Sequence, residues 1–170
     1  NVVIRGYGSS EQEISGIMNV GGDLELGVTA YGENKLNGGV IAVKGNVTMT
    51  SAVFGNHSSG PGNVTIKLEG SGAQTLAGPT AGHFPNVTID KPAGRLTLSG
   101  APYIVGNWTH MRGEVAAGTS TLILACAYKV PQSITPGPRA YNNVIIRGFG
   151  QYSSQEISGT MNVSGNLELG

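Results

Sequence analysis

Cysteine, net charge and aromatic side chains are all scarce in this sequence, and each scarcity removes a class of protein. The single cysteine, Cys126, excludes an internal disulfide framework and a cysteine-rich metal site. We interpret it as a small buried apolar side chain, with an intermolecular crosslink as the alternative. Lysine plus arginine number 10 and aspartate plus glutamate number 10, so the chain carries no basic footprint for nucleic acid or an anionic membrane surface. With aromatic residues at only 6%, a core has to be built from valine, isoleucine and leucine.

Long apolar runs are also missing. The longest candidate, residues 122–127, is far shorter than the roughly 18 residues that a membrane-spanning helix needs, so we expect no membrane span. The chain begins with Asn1, without a methionine or a signal peptide, which we interpret as a processed product or a fragment. Its 170 residues suit a single domain.

Glycine, in contrast, is abundant, with 28 of 170 residues against ~7% in ordinary proteins. The chain also repeats itself: residues 1–27 and 143–170 align with one single-residue insertion and agree at about 20 positions. The single segment 1–170 therefore contains one period of about 142 residues (1–142), and the next copy begins at residue 143. We interpret it as a window on a longer tandem array.

Two short motifs alternate within this period. In the first, asparagine or aspartate precedes an apolar–polar–apolar triplet, and its first residues are Asn1, Asp23, Asn46, Asn63, Asn86, Asn107, Asn143 and Asn166. In the second, glutamine begins a short run that ends in glycine, at Gln12, Gln74 and Gln155, with variants at Arg95 and Gln132. Alternation with a period of two is typical of β-strands, and the glycine, asparagine, serine and proline residues between the motifs supply turns. Since no apolar stripe of helical period is present, the sequence predicts an all-β fold.

Strands about 11 residues apart fit two architectures. One is an antiparallel β-sandwich. The other is a parallel β-helix, or β-solenoid, in which an asparagine strand and a glutamine strand together form a coil of about 22–24 residues. We favour the solenoid, because it explains why the same motif returns in every second strand, and keep the sandwich as the alternative. The solenoid predicts one interior ladder made of Val2, Leu24, Val47, Val64, Val87 and Val144.

Several phrases of the sequence resemble a known type of repeat. GSGAQTLAG (residues 70–78), FPNVTID (84–90), LTLSG (96–100) and VGN (105–107) are similar to the tandem repeats of very large secreted prokaryotic surface proteins, of the filamentous-haemagglutinin-like adhesin and autotransporter-passenger type. The resemblance covers nearly the whole chain and implies a right-handed parallel β-helix, secretion, and a structural or adhesive role. It brings no catalytic residue to this chain. The long, nearly identical period departs from that type and indicates regular assembly.

The histidines and the tryptophan are the residues most able to mark a binding site. His57, His83 and His110 are spaced close to one coil apart, but no further ligand can be placed beside them. We therefore interpret them as solvated loop or edge residues, and expect neither a metal nor a cofactor. Trp108 occupies a position that valine or leucine fills elsewhere, which predicts a ring packed inside a wide coil; the alternative is an exposed platform for a sugar or a subunit.

Acidic residues, which solenoid enzymes use in pairs, follow the repeat in this chain. Glu13 returns as Glu156, and Glu25 returns as Glu168, in the outward position of LEL. An active site needs a unique constellation of residues, whereas a residue copied with each period is typical of a solvated face. The sequence therefore predicts that the protein is not an enzyme.

Asn-x-Ser/Thr sequons are dense. A strand motif of the GNVT type creates such sequons automatically, and the alternative is a glycosylated surface of a secreted protein. The candidate N-glycosylation sites are Asn46, Asn56, Asn63, Asn86, Asn107 and Asn162. Asn56 is the best acceptor, because the stretch 55–62 around it predicts a loop.

Together these patterns predict a structural repeat unit of an extracellular filament, fibre or sheath. The two ends carry matching sequences, so we expect head-to-tail continuation by strand stacking, with the chain itself as principal partner and glycans as further candidates. About six coils per period at ~4.8 Å per coil give an axial repeat of roughly 29 Å. The alternative is the stalk or binding segment of a cell-surface adhesin, with residues 55–62 and 127–139 as its contacting loops.

Overall fold

The computed structural model describes residues 1–7, 9–28, 34–50, 62–149 and 153–170. In these residues there are 18 strands and no helix. The strands are β1 (Val2–Gly6), β2 (Ser10–Val20), β3 (Leu24–Val28), β4 (Asn34–Val43), β5 (Val47–Met49), β6 (Thr65–Leu68), β7 (Gln74–Gly78), β8 (His83–Phe84), β9 (Asn86–Gly100), β10 (Tyr103–Ile104), β11 (Trp108–Ala116), β12 (Thr121–Cys126), β13 (Gln132–Thr135), β14 (Ala140–Tyr141), β15 (Asn143–Gly148), β16 (Gln155–Ile157), β17 (Asn162–Val163) and β18 (Leu167–Leu169).

Every pairing among the described strands is parallel, and each strand pairs with one that lies about one coil further along the chain. Val2 lies opposite Leu24, and Leu24 lies opposite Val47. Strands related in this way stack into a β-solenoid of about seven turns, so the predicted fold class is confirmed and the antiparallel sandwich is wrong. Coil length varies more than predicted. It is 19 residues from Leu96 to Val115, and it reaches 29 from Val47 to Leu76.

Each coil has three faces, numbered here in the order in which the chain visits them. The first face holds β1, β3, β5, β7, the second halves of β9 and β11, and then β14 and β17. The second face holds the first halves of β2 and β4, followed by β8, β10, β12, β15 and β18. The third face holds the second halves of β2 and β4, then β6, the first halves of β9 and β11, β13 and β16. A coil therefore contains three short strands, one more than the sequence predicted.

The prediction of a single interior ladder is wrong, because the asparagine motif moves from face to face along the chain. Its members Val2, Leu24 and Val47 stack on the first face, Val64 lies at the corner that leads into the third face, Val87 lies on the third face and Val144 on the second. On the third face, Val87 lies opposite Ile66, and Val64 is not its partner. Coils of unequal length carry the motif out of phase with the turn of the solenoid.

The interior is filled by valine, isoleucine and leucine, and it widens around one pair of aromatic side chains. Trp108 is fully buried, and its Nε1 donates a hydrogen bond to the Tyr141 hydroxyl at 3.0 Å, which in turn donates to the carbonyl of Pro136. Burial raises the pKa of Tyr141 to about 12, against the opposing effect of the hydrogen bond from Trp108. The coil that follows is 26 residues long, from Trp108 to Ile134. The predicted packing of the Trp108 ring inside a wide coil is confirmed, and the alternative of an exposed platform is wrong.

Glycine is required at corners of the solenoid. Gly16 and Gly38, at the corner between the second and third faces, have φ values of 78° and 88°. Gly159, the counterpart of Gly16 in the second copy, has a φ of 102° at the corner between the third and first faces. A Cβ atom at Gly38 would also lie 2.5 Å from the carbonyl oxygen of Ile14 in the coil before. The prediction that glycine supplies positive-φ turns is confirmed at these positions.

Cys126 lies in β12 as a buried free thiol, which confirms its interpretation as a small interior side chain. Within the described ranges, the structure contains no helix with the length and apolar character needed to cross a membrane.

Candidate functional site: corner ladders and an asparagine-lined groove

The first residue of each asparagine motif lies at a corner of the solenoid, where its side chain ties one coil to another. At the corner before the first face, Asn1 Oδ1 accepts a hydrogen bond from the N–H of Asp23 at 2.9 Å. Asp23 Oδ1 accepts from the N–H of Asn46 at 2.7 Å, one coil further on. Short asparagine and aspartate side chains are suited to this position, because they reach backbone N–H groups at turns where the strand ladder is interrupted.

The corner before the third face carries a longer series, which we call the asparagine ladder and define as Asn63, Asn86 and Asn107. Gly38 N–H donates to Asn63 Oδ1, Asn107 N–H donates to Asn86 Oδ1, and Ser133 N–H donates to Asn107 Oδ1, each at 2.8 Å. Asn86 Nδ2 also donates to the carbonyl of Asn63 at 2.8 Å. The ladder thus links five consecutive coils through their side chains.

A groove of about 410 Å³ runs along this corner. Its lining consists of Glu11, Lys35, Asn37, Gly62, Asn63, Asn86, Val105, Gly106, Asn107, Ala127 and Val130. Lys35 Nζ and Glu11 Oε1 form an ion pair at 3.1 Å at one end, and the remaining walls are amide or apolar. Such a lining suits a neutral polar ligand that forms hydrogen bonds, and it holds no pair of carboxylates for acid–base chemistry.

The glutamine of the second motif has a role that the sequence analysis missed. Gln74 is 1% exposed, and its Nε2 donates to the carbonyls of Val43 at 3.1 Å and Gly45 at 2.6 Å in the preceding coil. Its Oε1 accepts from the N–H of Gly70 at 3.0 Å. A glutamine that recurs next to an otherwise apolar strand is the sequence signal that could have indicated this interior hydrogen bonding.

Gln132 repeats the arrangement two coils later. Its Nε2 donates to the carbonyls of Ile104 at 3.2 Å and Gly106 at 2.6 Å, and its Oε1 accepts from Nε2 of Gln155 at 2.7 Å. Gln12 has the same place in the motif, but its Nε2 reaches only the carbonyl of Arg5 and its own neighbour's hydroxyl, both at 3.5 Å. Gln132 therefore bonds to the coil before it, whereas Gln12 makes no such bond among the described residues.

Lys91 is a second interior polar residue that the sequence did not reveal. It is 1% exposed, and its Nζ donates to the carbonyls of Gly70 at 2.5 Å and Gly72 at 2.9 Å and to Oε1 of Gln74 at 2.6 Å. Burial lowers the pKa of Lys91. Three acceptors match the three N–H bonds of the ammonium group, so this lysine ties two coils together.

The candidate glycosylation sites lie mainly on the corners. Asn46, Asn63 and Asn107 are exposed, Asn86 is half-buried, Asn162 is exposed with its Nδ2 3.3 Å from the carbonyl of Pro138, and Asn56 lies outside the described residues. Asn46 Oδ1 accepts from the N–H of Thr75 at 2.9 Å, so Asn46 bonds across a corner in the way that the asparagine ladder does. These bonds give the strand motif a structural reason for its asparagine, while glycosylation stays a prediction.

The expectation of solvated histidines is wrong for the two that the structure describes. His83 is buried edge-on against the ring of Tyr103, with ring centroids 4.6 Å apart. His110 is buried with its ring nitrogens 3.3 Å from the carbonyl oxygen of Pro136 and 3.0 Å from that of Gly113. Satisfied hydrogen bonds and ring packing make burial favourable for both. His83 and His110 lie on different faces, so they do not stack. His57 lies outside the described residues. Among the described residues, no group of three metal-ligating side chains is present.

A second apolar cluster lies on the second face and consists of Tyr103, Val105, Ile123, Ala125 and Ala127. Arg147 Nη2 donates to the Tyr103 hydroxyl at 3.1 Å, and the guanidinium lies 5.1 Å from the Tyr103 ring centre and 5.7 Å from that of Phe149. Burial raises the pKa of Tyr103, and the hydrogen bond from Arg147 opposes this. The counterparts in the first copy, Arg5 and Tyr7, belong to the first face, and the Tyr7 ring is 79% exposed. The same short motif thus has two environments.

The recurring carboxylates point outward as predicted. Glu13, Glu156 and Glu168 are exposed, and Glu25 is half-exposed. They lie on different faces, since Glu25 is on the first, Glu13 and Glu168 are on the second and Glu156 is on the third. The repeat therefore brings neither Glu13 and Glu156 nor Glu25 and Glu168 together on one face.

The third face carries a network of ion pairs. Asp90 contacts Lys67 at 2.9 Å and Arg112 at 2.5 Å, and Lys67 also contacts Glu69 at 3.2 Å. The hydrogen bond from Lys67, followed by that from Arg112, holds the pKa of Asp90 below its ordinary value. An outward network of this kind joins neighbouring coils and indicates a structural face.

A comparison of the chain with protein-family models, with curated proteins and with solved structures found no match in any of the three.

Proposed function

We propose that this chain is a structural repeat unit of an extracellular filament, fibre or sheath, which assembles head to tail by strand stacking and has no catalytic role. The observation that carries the proposal is that the second copy of the repeat continues the same solenoid as the first. Its first strand, β15, pairs in parallel with β12 of the first copy, with Val144 opposite Leu122 and Ile146 opposite Leu124. Successive copies of the repeat are therefore joined by strand stacking.

Two further features support a structural role. The bonds that hold the coils together are repeated motif by motif, in the corner asparagines and the interior glutamines, as expected where each structural unit contacts only its neighbours. The outward carboxylates recur with the repeat and do not converge in a cleft. The resemblance to the tandem repeats of secreted prokaryotic surface proteins is the reason for placing the assembly outside the cell.

Electron microscopy of the native material, with its power spectrum, tests this proposal. Layers at ~4.8 Å with an axial repeat near 30 Å per 142-residue unit are the expected result, because the unit spans six coils and one further face. Discrete particles without a repeating axial spacing would contradict the filament and leave the solenoid as a stalk.

The groove along the asparagine ladder favours a second candidate function, the binding segment of a cell-surface adhesin with a neutral glycan as its ligand. Amide side chains follow one another there from coil to coil, and hydroxyl groups of a sugar are partners that amides can hydrogen-bond.

Binding to a glycan array tests this second candidate. The Val130→Arg variant, in which the groove is narrowed, is compared with the control variant Val3→Arg. Both valines are 51% exposed, and Val3 lies on another face. Loss of a glycan signal in the Val130 variant alone is expected; no signal in the unaltered chain, or equal loss in both variants, would contradict it.

A further inference from the structure

The two copies of the repeat follow the same strand order but begin on different faces. In the first copy, β1 lies on the first face and Val2 is opposite Leu24. In the second copy, the equivalent β15 lies on the second face, between β12 and β18, with Val144 opposite Leu122 and Leu167. The glutamine strands differ in the same way, because Gln12 belongs to the second face and Gln155 to the third.

This displacement follows from the length of the period. From β1 on the first face, six further coils bring the chain to β14 on the same face, and β15 comes one face later. A 142-residue period therefore spans six coils and one third of another. Each period must begin one face further round the solenoid than the period before it.

The first copy shows which strand follows β3 in the ladder. There β3 is covered by β5, with Leu24 opposite Val47, Glu25 opposite Thr48 and Leu26 opposite Met49. In the second copy, β18 repeats the LEL sequence of β3 on the second face. A continued second copy would therefore place the counterpart of β5 on β18, where it would bury Leu167 and Leu169.

The corner beside β18 repeats the corner bond of the first copy. In the first copy, the N–H of Asp23 donates to Asn1 Oδ1 at 2.9 Å. In the second copy, Asn166 stands in the place of Asp23, and its N–H donates to Asn143 Oδ1 at 2.9 Å. The corner ladder is therefore carried over intact to the next face.

We infer that each 142-residue unit is rotated by one third of a turn relative to the unit before it, so that in the continued second copy the counterpart of β5 pairs with β18 on the second face, one face on from β5 in the first copy. This inference deepens the proposed function, since it defines how successive units of the assembly meet. Each unit is rotated by one third of a turn, so a given face returns only after three units, or 19 coils, which is about 91 Å of solenoid.

The rotation has a consequence for what the assembly displays. The asparagine ladder, the ion-pair network of the third face and the outer cluster around Tyr103 each move to the next face with each unit. All three sides of the filament then carry every surface feature in turn, at an axial spacing of about 30 Å. Lateral contacts or ligands are therefore met from three directions and are not confined to one side.

Disulfide crosslinking in an extended chain tests the inference. Residue 170 is followed directly by a second copy of residues 28–170, since Gly170 is the counterpart of Gly27, and Cys126 is replaced by alanine in both copies. Glu168→Cys is combined with Thr48→Cys in the second copy, because register partners on adjacent parallel strands lie at a separation that a disulfide spans. Glu25→Cys with Thr48→Cys in the unextended chain is the positive control, as these two residues are register partners.

The alternative arrangement, without rotation, is tested with a second pair of cysteines. If the second unit began without rotation, its Thr48 would lie above β17 on the first face, so Asn162→Cys is combined with the same Thr48→Cys. We expect near-complete oxidation of the Glu168 pair, little oxidation of the Asn162 pair, and a higher melting temperature for the extended chain because Leu167 and Leu169 become buried.

Each alternative result contradicts a defined part of the inference. Crosslinking only at Asn162 would refute the rotation while leaving stacked units. No crosslink at either position, with the control pair oxidised and the melting temperature unchanged, would refute the stacking of the continued second copy on β18. Crosslinking at Glu168 in a protein whose native material forms no filament would instead refute the proposed function and leave the inference standing.

Discussion

Replacing Gln132 with leucine tests whether interior glutamines hold the coils of this solenoid together. The side chain is 2% exposed and makes three hydrogen bonds, to the carbonyls of Ile104 and Gly106 and from the amide of Gln155. Leucine has a similar size but leaves those two carbonyls and one amide without this partner. Each buried polar group that loses its partner costs about 1–3 kcal/mol, and the added apolar burial offsets about 1–2 kcal/mol of the total.

For these three groups, the expected net loss for Gln132→Leu is about 2–7 kcal/mol of the free energy of unfolding. At about 2–4 °C per kcal/mol for a chain of this size, the melting temperature falls by roughly 4–28 °C. Gln12→Leu is the matched control, because Gln12 occupies the same motif position but makes only bonds of 3.5 Å, and its Oε1 has no partner among the described residues. We expect a change within about 0.5 kcal/mol for this control.

Urea unfolding followed by circular dichroism and by the fluorescence of Trp108 is the assay. Trp108 is the single tryptophan of the chain, and it lies opposite Ile134 on the strand that Gln132 begins, so its emission reports on the altered coil. Equal stability of Gln132→Leu and the unaltered chain, or an equal loss in both variants, would refute the view that these hydrogen bonds, and not the apolar contacts alone, join the coils.

Three further substitutions test the corners and the interior. Gly38→Ala should destabilise the chain by more than about 1 kcal/mol, because its φ is positive and its space is filled by backbone, whereas Gly21→Ala, which meets no atom within 4 Å, should change the urea midpoint little. Asn107→Ala should lower the free energy of unfolding by about 1 kcal/mol, because it removes an acceptor of the asparagine ladder. Asn162→Ala removes one exposed hydrogen bond of 3.3 Å and should lower it by less than half as much. Equal losses in the two variants would contradict a stabilising role of the ladder. Burial raises the folded-state pKa of Tyr141 from 10.0 to about 12, so its contribution to stability is complete below pH 10 and is lost as the pH rises towards 12. Tyr141→Phe should therefore lower stability at pH 8 and weaken its further decline between pH 10 and 12 in unfolding titrations, and an unchanged alkaline decline would show that another group causes it.

The comparison of the two copies explains why one sequence has different environments in this chain. Leu24 and Leu167 both begin an LEL sequence, but among the described residues only Leu24 is covered by a later strand. Arg5 and Arg147 also share a motif, yet Arg147 meets Tyr103 on the second face while Arg5 pairs with Glu25 at 3.3 Å on the first. Burial in a solenoid is decided by the adjacent coils, so a repeated sequence has a repeated environment only when the coils around it are repeated too.

The sequence by itself determined the strand content, the parallel solenoid, the interior place of Cys126 and Trp108, and the outward place of the recurring carboxylates. These properties follow from alternation within a few residues and from motifs that recur at nearly one coil, both of which are local signals. The positive-φ glycines follow for the same reason, since Gly16 and Gly159 lack a Cβ atom wherever the coil places them.

Only the tertiary structure decided that each coil has three faces, and that the asparagine motif moves from the first face to the third and then to the second. That outcome depends on the exact length of every coil, which ranges from 19 to 29 residues. The length of a coil decides which face a motif occupies only once each strand is in register with the strand beneath it. The interior hydrogen bonds of Gln74 and Lys91 and the burial of His83 and His110 were likewise decided by stacking. Their partners lie a coil away in the chain, and a polar side chain can be buried only where the neighbouring coil supplies the acceptor or the ring that it contacts.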